Sequence, residues 1–485
     1  YQATGKRTLL DIAIKSADLV NKDFGMDKEM VYPGHQVIEM GLVKLYRATD
    51  EKKYLDLARF FLDIRGPRGE AYNQADRRVV DQAEAVGHAV RATYMYSGMA
   101  DIAAIEKNTR YLNAITKIWE DIVYRKIYIT GGIGATGGNE GFADPFVLPN
   151  STAYCETCAS IGNIFTNQRL FLLHGESKYI DILEKTLYNS MLSGVSLSGD
   201  RFFYPNPLES DGRHQRQAWF GCACCPSNVA RFIPAIPGYV YAVTDKDLYI
   251  NLFVSNEANV KVGNNSVGII QKANFPWDGR VEINIDPESS GRFAIRIRVP
   301  GWVRNEAIPG SLYKFGDRVD ENFSITLNGN ILISSGISAS GAASVYDTSG
   351  YLTIERKWEK GDRIALEFPM PVRTVIADER VRDDSGKLAV QRGPVIYCAE
   401  WPDNDGKVFD LSVDNNPAFE TEFVPDLLGG IRIIKSTAAR TVKPEAGNRP
   451  VTVTKTPLTL IPYALWNNRG PGQMRVWLPV NHFND

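Results

Sequence analysis

Near Asp245-Lys246-Asp247 the apolar residues of this chain change their period from 3.6 to 2. A helix and a strand cannot share one apolar pattern, so the change divides the chain into a helical half and a strand half. In the first half apolar residues recur at three- and four-residue spacing near 6–22, 35–48, 51–64, 79–97, 101–124, 155–173, 177–193 and 226–242. Similar stretches recur there: Arg7-Thr8-Leu9-Leu10-Asp11, Lys53-Tyr54-Leu55-Asp56, Arg110-Tyr111-Leu112-Asn113 and Lys178-Tyr179-Ile180-Asp181. An interval of roughly 45 to 70 residues fits one helical hairpin per repeat, each burying its apolar face only against its neighbours. Residues 1–244 are therefore expected to form an array or toroid of α-hairpins.

Beyond the switch, Leu248 to Val254 reads as a strand and Phe293-Ala294-Ile295-Arg296-Ile297-Arg298-Val299 alternates cleanly. Leu352–Trp358 and Arg363–Phe368, joined by Glu359-Lys360-Gly361-Asp362, have the form of a β-hairpin. The expectation is a β-sandwich over 245–380, then a second β-sandwich, or a continuation of the first, over 381–485. The chain is long enough for several cores.

Charge removes two classes of function. With 55 basic and 57 acidic residues the chain has no electrostatic footprint for nucleic acid or an anionic membrane. No apolar run approaches the roughly 20 residues that span a bilayer. Tyr1-Gln2-Ala3-Thr4-Gly5-Lys6 reads as one helix running into the next, so the chain is expected to begin inside a domain and to leave its compartment open. A homodimer also stays open.

The chemistry concentrates in the cysteines. Five of the six lie in Cys155-Glu156-Thr157-Cys158 and Cys222-Ala223-Cys224-Cys225, and Cys398 stands apart. Glu156, Cys158, Cys224 and Cys225 could supply one oxygen and three sulfurs to a tetrahedral zinc ion, catalytic or structural. A disulfide and inert buried thiols are the alternatives, although adjacent cysteines rarely bridge each other.

Two further features carry candidate groups. Gly131-Gly132-Ile133-Gly134-Ala135-Thr136-Gly137-Gly138-Asn139-Glu140 contains a formal GxGxxG, but it sits between helical hairpins without the βαβ frame of a nucleotide site. It ends in Glu140, either a carboxylate offered to a substrate or an exposed loop residue. His35 is expected to open a helix and His88 to lie within one, where each is a hydrogen-bonded core residue or lines a cavity. The run Phe202–Glu209 and the pair Trp219-Phe220 suit a sugar-stacking wall or ordinary packing.

Taken in order, Gly-Gly-Ile-Gly-x-Thr ending in Glu140, Cys-Glu-Thr-Cys-Ala-Ser-Ile-Gly at 155–162, Leu187-Tyr188-Asn189, Tyr204 to Glu209, and Cys-x-Cys-Cys-Pro-x-Asn at 222–228 resemble glycoside hydrolase family 127, the bacterial β-L-arabinofuranosidases. The resemblance spans the chain. It implies an α/α barrel of the six-hairpin type followed by β-sandwich domains, with Zn2+ held by Glu156, Cys158, Cys224 and Cys225. It makes Cys224 the nucleophile and Glu140 the acid/base of a retaining exo-glycosidase. His35, His88, Tyr204 and Glu184 would contact the sugar of a carbohydrate substrate. The compartment would be the periplasm or the cytoplasm of a bacterium. The family barrel normally has helices before the position of Tyr1, and the segment from Arg65 to Asn73 is shorter than in the family, which would reshape the pocket. The readings that compete are a hydrolase of another pectic L-sugar such as aceric acid, a polysaccharide lyase, and a carbohydrate-binding protein with structural zinc.

Overall fold

The computed structural model describes residues 1–319, 323–334, 337–338, 344–442 and 452–481. Among them the helices are α1 (Thr8–Asp23), α2 (Ile38–Thr49), α3 (Lys52–Asp63), α4 (Ala89–Glu106), α5 (Thr109–Asp121), α6 (Thr157–His174), α7 (Ser177–Thr186) and α8 (Cys224–Phe232). The four recurring stretches open α1, α3, α5 and α7. In sequence, α2 with α3, α4 with α5, and α6 with α7 form hairpins, while α2, α4, α6 and α8 pack side by side. Burial follows this arrangement. Helices α4 and α6 are buried along nearly their whole length, whereas α5 buries one stripe, Tyr111, Ala114, Ile115, Ile118 and Trp119.

The helix expected over 79–97 starts ten residues late, at Ala89. Gly87 stands at φ 68°, and a Cβ there would meet the carbonyl oxygen of Ala71 at 2.0 Å, so the chain turns sharply before the helix. His88 is consequently the cap of α4 and not an internal residue, its Nδ1 accepting from the Val90 N–H at 3.2 Å. His35 similarly precedes α2 and does not open it.

The strand half contains two arrangements. In the first, a five-stranded and a seven-stranded sheet share one core, to which Leu248, Ile297 and Leu352 contribute from one side and Ile269, Ile283 and Leu366 from the other. The hairpin expected at Glu359–Asp362 does not form. Tyr351–Trp358 pairs with Gly291–Arg298 in one sheet, and Asp362–Glu367 pairs with Arg280–Pro287 in the other. Both strands turn apolar residues into the same core, so they face each other across it instead of lying side by side.

In the second arrangement, an eleven-stranded sheet includes Val372–Ala377 paired with Lys387–Arg392, so the boundary expected near residue 380 falls inside it. Strand Val395–Glu400 is buried at every position, since one face of this sheet meets the helical half through Ile396 and Cys398 and the other has its own core. Glu209–Asp211, from the helical half, pairs with Gln473–Arg475 of this sheet.

Helices and sheets also meet at Asp384, whose buried carboxylate accepts from Asn150 Nδ2 at 2.7 Å. Burial pushes this carboxyl up to about 7. Between the ordinary carboxylate value of about 4 and that point, the folded chain holds a proton the unfolded chain has lost, so stability falls as pH rises through the window. Asp384→Asn is expected to flatten that slope and to raise the unfolding free energy at about pH 8 by on the order of 2 kcal/mol, read from urea denaturation at about pH 5 and pH 8.

Candidate active site

Four helix starts converge on one cavity of about 520 Å3. His35 stands just before α2, His88 caps α4, Glu156 caps α6 with Cys158 in its first turn, and Cys224 and Cys225 open α8. Helix N-termini carry unpaired N–H groups and partial positive charge, which favours thiolates and carboxylates there.

Glu140 reaches the same cavity from the glycine-rich loop. The loop lacks the frame of a nucleotide site; residues 126–135 are buried, Gly137 and Gly138 are exposed, and Glu140 is half-buried. It is stitched to the start of α4 by Ala89 N to Glu140 O at 3.1 Å and Phe142 N to Gly87 O at 2.9 Å. A Cβ at position 141 would lie 1.9 Å from Gly87 O, so only glycine permits this approach. As a result Glu140 Oε2 sits 3.0 Å from His88 Nε2. Because Nδ1 of His88 accepts from Val90, Nε2 carries the proton and donates it to Glu140. Burial, followed by the nearby Arg91 charge, holds His88 down to about 4, so the ring stays neutral at physiological pH.

The thiols form a second focus. Cys158 Sγ lies 3.6 Å from Cys225 Sγ, Cys224 Sγ lies 3.8 Å from Cys225 Sγ, and Glu156 Oε1 lies 3.6 Å from Cys224 and 3.7 Å from Cys225. A disulfide needs about 2.05 Å, and all six cysteines are free. These four groups form a candidate metal-binding cluster. Burial, then the Cys224 charge, pushes the Glu156 carboxyl well above the usual range, and its Oε2 has no hydrogen-bond partner among the described residues. Cys224, the least buried of the three thiols, moves in the opposite direction. Hydrogen bonds from Cys158 and Cys225 hold its thiol low, and the Tyr204 hydroxyl, 3.1 Å away, adds to them.

His35, His88, Tyr204, Glu140, Glu156, Cys158 and Cys224 thus border one cavity, with Cys225 behind it. Glu184 is a correction. It is buried at the joint between α7 and the first β arrangement, bonded to Arg298 and to Trp302 Nε1, and does not border the cavity. The run Phe202–Glu209 divides: Phe203 stacks with His214 and Trp466, while Tyr204 faces the Cys224 thiol.

The catalytic-domain profile described as "Beta-L-arabinofuranosidase, GH127 catalytic domain" matches residues 1–238, and the middle- and C-terminal-domain profiles of the same family match 247–370 and 372–479. A protein of Bifidobacterium longum subsp. longum, named a non-reducing end beta-L-arabinofuranosidase, is 34% identical over 98% of this chain and 76% of its own length. The chain belongs to glycoside hydrolase family 127. It is accordingly a glycoside hydrolase. Among solved structures, a GH127 beta-arabinofuranosidase is 50% identical at TM-score 0.94, covering 99% of this chain and 74% of that one. A GH127 beta-L-arabinofuranosidase of Geobacillus stearothermophilus T6 is 38% identical at TM-score 0.89, covering 99% and 78%.

This GH127 chain also places residues in the cavity that sequence reasoning missed. Tyr72 comes from the segment between Arg65 and Asn73, which Arg65 pins by donating to Asn73 O at 3.1 Å and Pro33 O at 2.8 Å. Tyr94 lies one turn into α4 and is held by Asn228 Nδ2 at 2.7 Å and Arg231 at 3.0 Å, all three bordering the cavity. Asn228 was within reach, being the last residue of the Cys-x-Cys-Cys-Pro-x-Asn motif. Tyr94 was not, because a tyrosine inside a helix buried along nearly its whole length carries no local signal.

Proposed function

We propose that this protein is a retaining exo-glycosidase that removes β-linked L-arabinofuranose from plant-derived glycans. The names of its relatives support the sugar. The observation that carries the chemistry is that Cys224, inside a thiol and carboxylate donor cluster, borders the same cavity as Glu140.

The donor set fits zinc. A tetrahedron with Zn–S bonds of about 2.3 Å has sulfur–sulfur edges of about 3.8 Å and sulfur–oxygen edges of about 3.5 Å. The observed 3.6 and 3.8 Å between sulfurs, and 3.6 and 3.7 Å from sulfur to Glu156, match those edges. Glu156, Cys158, Cys224 and Cys225 would hold the ion. When bound, Zn2+ would keep these thiols deprotonated near neutral pH.

In the reaction, Cys224 Sγ forms a bond to the anomeric carbon as the bond to the leaving oxygen breaks. Glu140 gives that oxygen a proton. Glu140 then removes a proton from water, the water oxygen bonds to the anomeric carbon, and the carbon–sulfur bond breaks to return the thiolate. Two inversions retain configuration, with a sulfur in the place of the usual second carboxylate. His88 orients Glu140, the Tyr204 hydroxyl donates to the thiolate, and His35 faces the sugar.

Glu140→Gln is expected to lower kcat/KM about a hundred- to ten-thousandfold on a sugar leaving group and much less on a nitrophenyl leaving group, which departs without a proton. Steady-state rates on the two substrates test this, and equal losses would contradict the acid role. A carboxylated L-sugar such as aceric acid is the second reading, favoured by Arg91 and Arg231 at the cavity wall. Arg231 is, however, already committed to Tyr94 and Asn228, and Arg91 to the Gly34 carbonyl. Turnover of p-nitrophenyl β-L-arabinofuranoside against a panel of acidic L-sugars separates the two.

For the architecture we propose that α2, α4, α6 and α8 form the inner layer of an α/α barrel, with α3, α5 and α7 outside. Residues 1–244 would be the catalytic domain, followed by the two β domains. The parallel convergence of the even-numbered helix starts supports that reading.

A further inference from the structure

Beyond Glu140 the catalytic cavity adjoins a second chamber of about 940 Å3, and Glu140, Tyr204 and Cys222 border both. The far wall is the segment from Arg213 to Phe220. His214 stacks on Phe203, with ring centroids 4.7 Å apart, and bonds to Pro205 O at 3.0 Å. Arg216 is buried, donating to Ser193 O and to Trp466 O at 2.8 Å. Gln215, Gln217, Ala218 and Trp219 are exposed and border the chamber, Trp219 at 63%.

The segment is braced as far as Gln217. Phe202 and Gln217 exchange backbone hydrogen bonds at 2.8 and 2.9 Å. Asn467, from the C-terminal half, accepts from Arg216 N at 3.4 Å and donates to His214 O at 3.3 Å. A tryptophan left this exposed at the border of a cavity, two residues past the braced Gln217 and in one wall with two amide side chains, offers an apolar face beside donors and acceptors. That is the chemistry of a neutral, hydroxyl-bearing sugar ring. Of the cations bordering the chamber, Arg213 pairs with Asp211 and Arg216 is turned to backbone carbonyls, while Arg201 adds a positive charge that a sugar hydroxyl can also meet.

We infer that this chamber is the leaving-group subsite and that Trp219 is the platform on which a second sugar residue stacks. The inference rests on the glycosidase reading above. If Glu140 protonates the departing oxygen, the leaving group must lie on the Glu140 side of the catalytic cavity, which is where the chamber opens. The preferred substrate is then a glycan whose terminal arabinofuranose is attached to another sugar.

The test compares kcat/KM on a β-L-arabinofuranosyl disaccharide with kcat/KM on methyl β-L-arabinofuranoside, for wild type, Trp219→Ala and Trp219→Phe. The disaccharide-to-methyl ratio is expected to fall about tenfold in Trp219→Ala, mainly through KM, and to recover largely in Trp219→Phe. An unchanged ratio, with activity kept or lost equally on both substrates, overturns the subsite while leaving the arabinofuranosidase reading standing. A wild type that cleaves neither substrate overturns that reading and this inference with it.

Discussion

Cys224→Ser is expected to lose at least about ten-thousandfold in kcat while remaining folded. A serine hydroxyl in the same place is neutral at working pH and poorly nucleophilic, whereas hydrogen bonds from its neighbours hold the Cys224 thiol below the usual thiol range. The substitution also weakens the donor set, so metal content must be measured on the same sample. Cys158→Ser weakens the donor set without removing the attacking sulfur. Cys224→Ser should therefore remain inactive when its metal is restored by excess zinc, while Cys158→Ser should regain activity. Cys222→Ser, whose exposed thiol lies outside the donor cluster, should lose far less than either. Circular dichroism confirms that each variant is folded before its rate is interpreted.

The largest effect on stability is expected at Arg298. This fully buried guanidinium donates to Asp181 Oδ1 at 2.6 Å, to Glu184, and to Asn251 O at 2.7 Å, and so joins α7 to the strand Gly291–Arg298. Arg304 also reaches Asp181 at 3.0 Å, but the Glu184 carboxylate relies on Arg298 and the Trp302 indole. Arg298→Met would leave the buried Glu184 carboxylate without its paired cation and Asp181 with Arg304 alone, at a cost of about 3–5 kcal/mol in denaturant unfolding. Burial already pushes the Glu184 carboxyl upward in the presence of the arginine. Without it Glu184 would take up a proton more readily, so the penalty should shrink as pH falls. Adding Glu184→Gln to the variant should recover part of the loss. A penalty below about 1 kcal/mol would show that the pair contributes specificity and not stability.

The sequence disclosed the helical half through repetition, because α1, α3, α5 and α7 each begin on a similar stretch. It disclosed the thiol cluster because three cysteines in four residues have few uses. The remainder depended on distance in space. Leu352–Trp358 and Arg363–Phe368 look like hairpin partners, since alternation and turn residues are local, yet both strands need the same core and so occupy opposite sheets. Glu184 was assigned to the sugar from motif position, while its actual partner, Arg298, lies more than a hundred residues away and leaves no local trace. His88 was read within a helix because the apolar pattern runs through it, and the φ of Gly87 decided otherwise. The second chamber was hinted at by Trp219-Phe220, but only the anchors His214 and Arg216, set against Phe203 and Trp466, show that the tryptophan faces outward.

The most direct measurement is the mass of the Cys224 peptide after reaction. Glu140→Gln, given p-nitrophenyl β-L-arabinofuranoside, should complete the first displacement and stall at the second, because water has no base to take its proton. Acid quenching and proteolysis should then give a peptide containing Cys224 that is heavier by one anhydropentose, with Cys224→Ser in the same background unmodified. A pentose found on Glu156 or on another residue, or a burst of nitrophenol with no covalent adduct, would contradict a cysteine nucleophile.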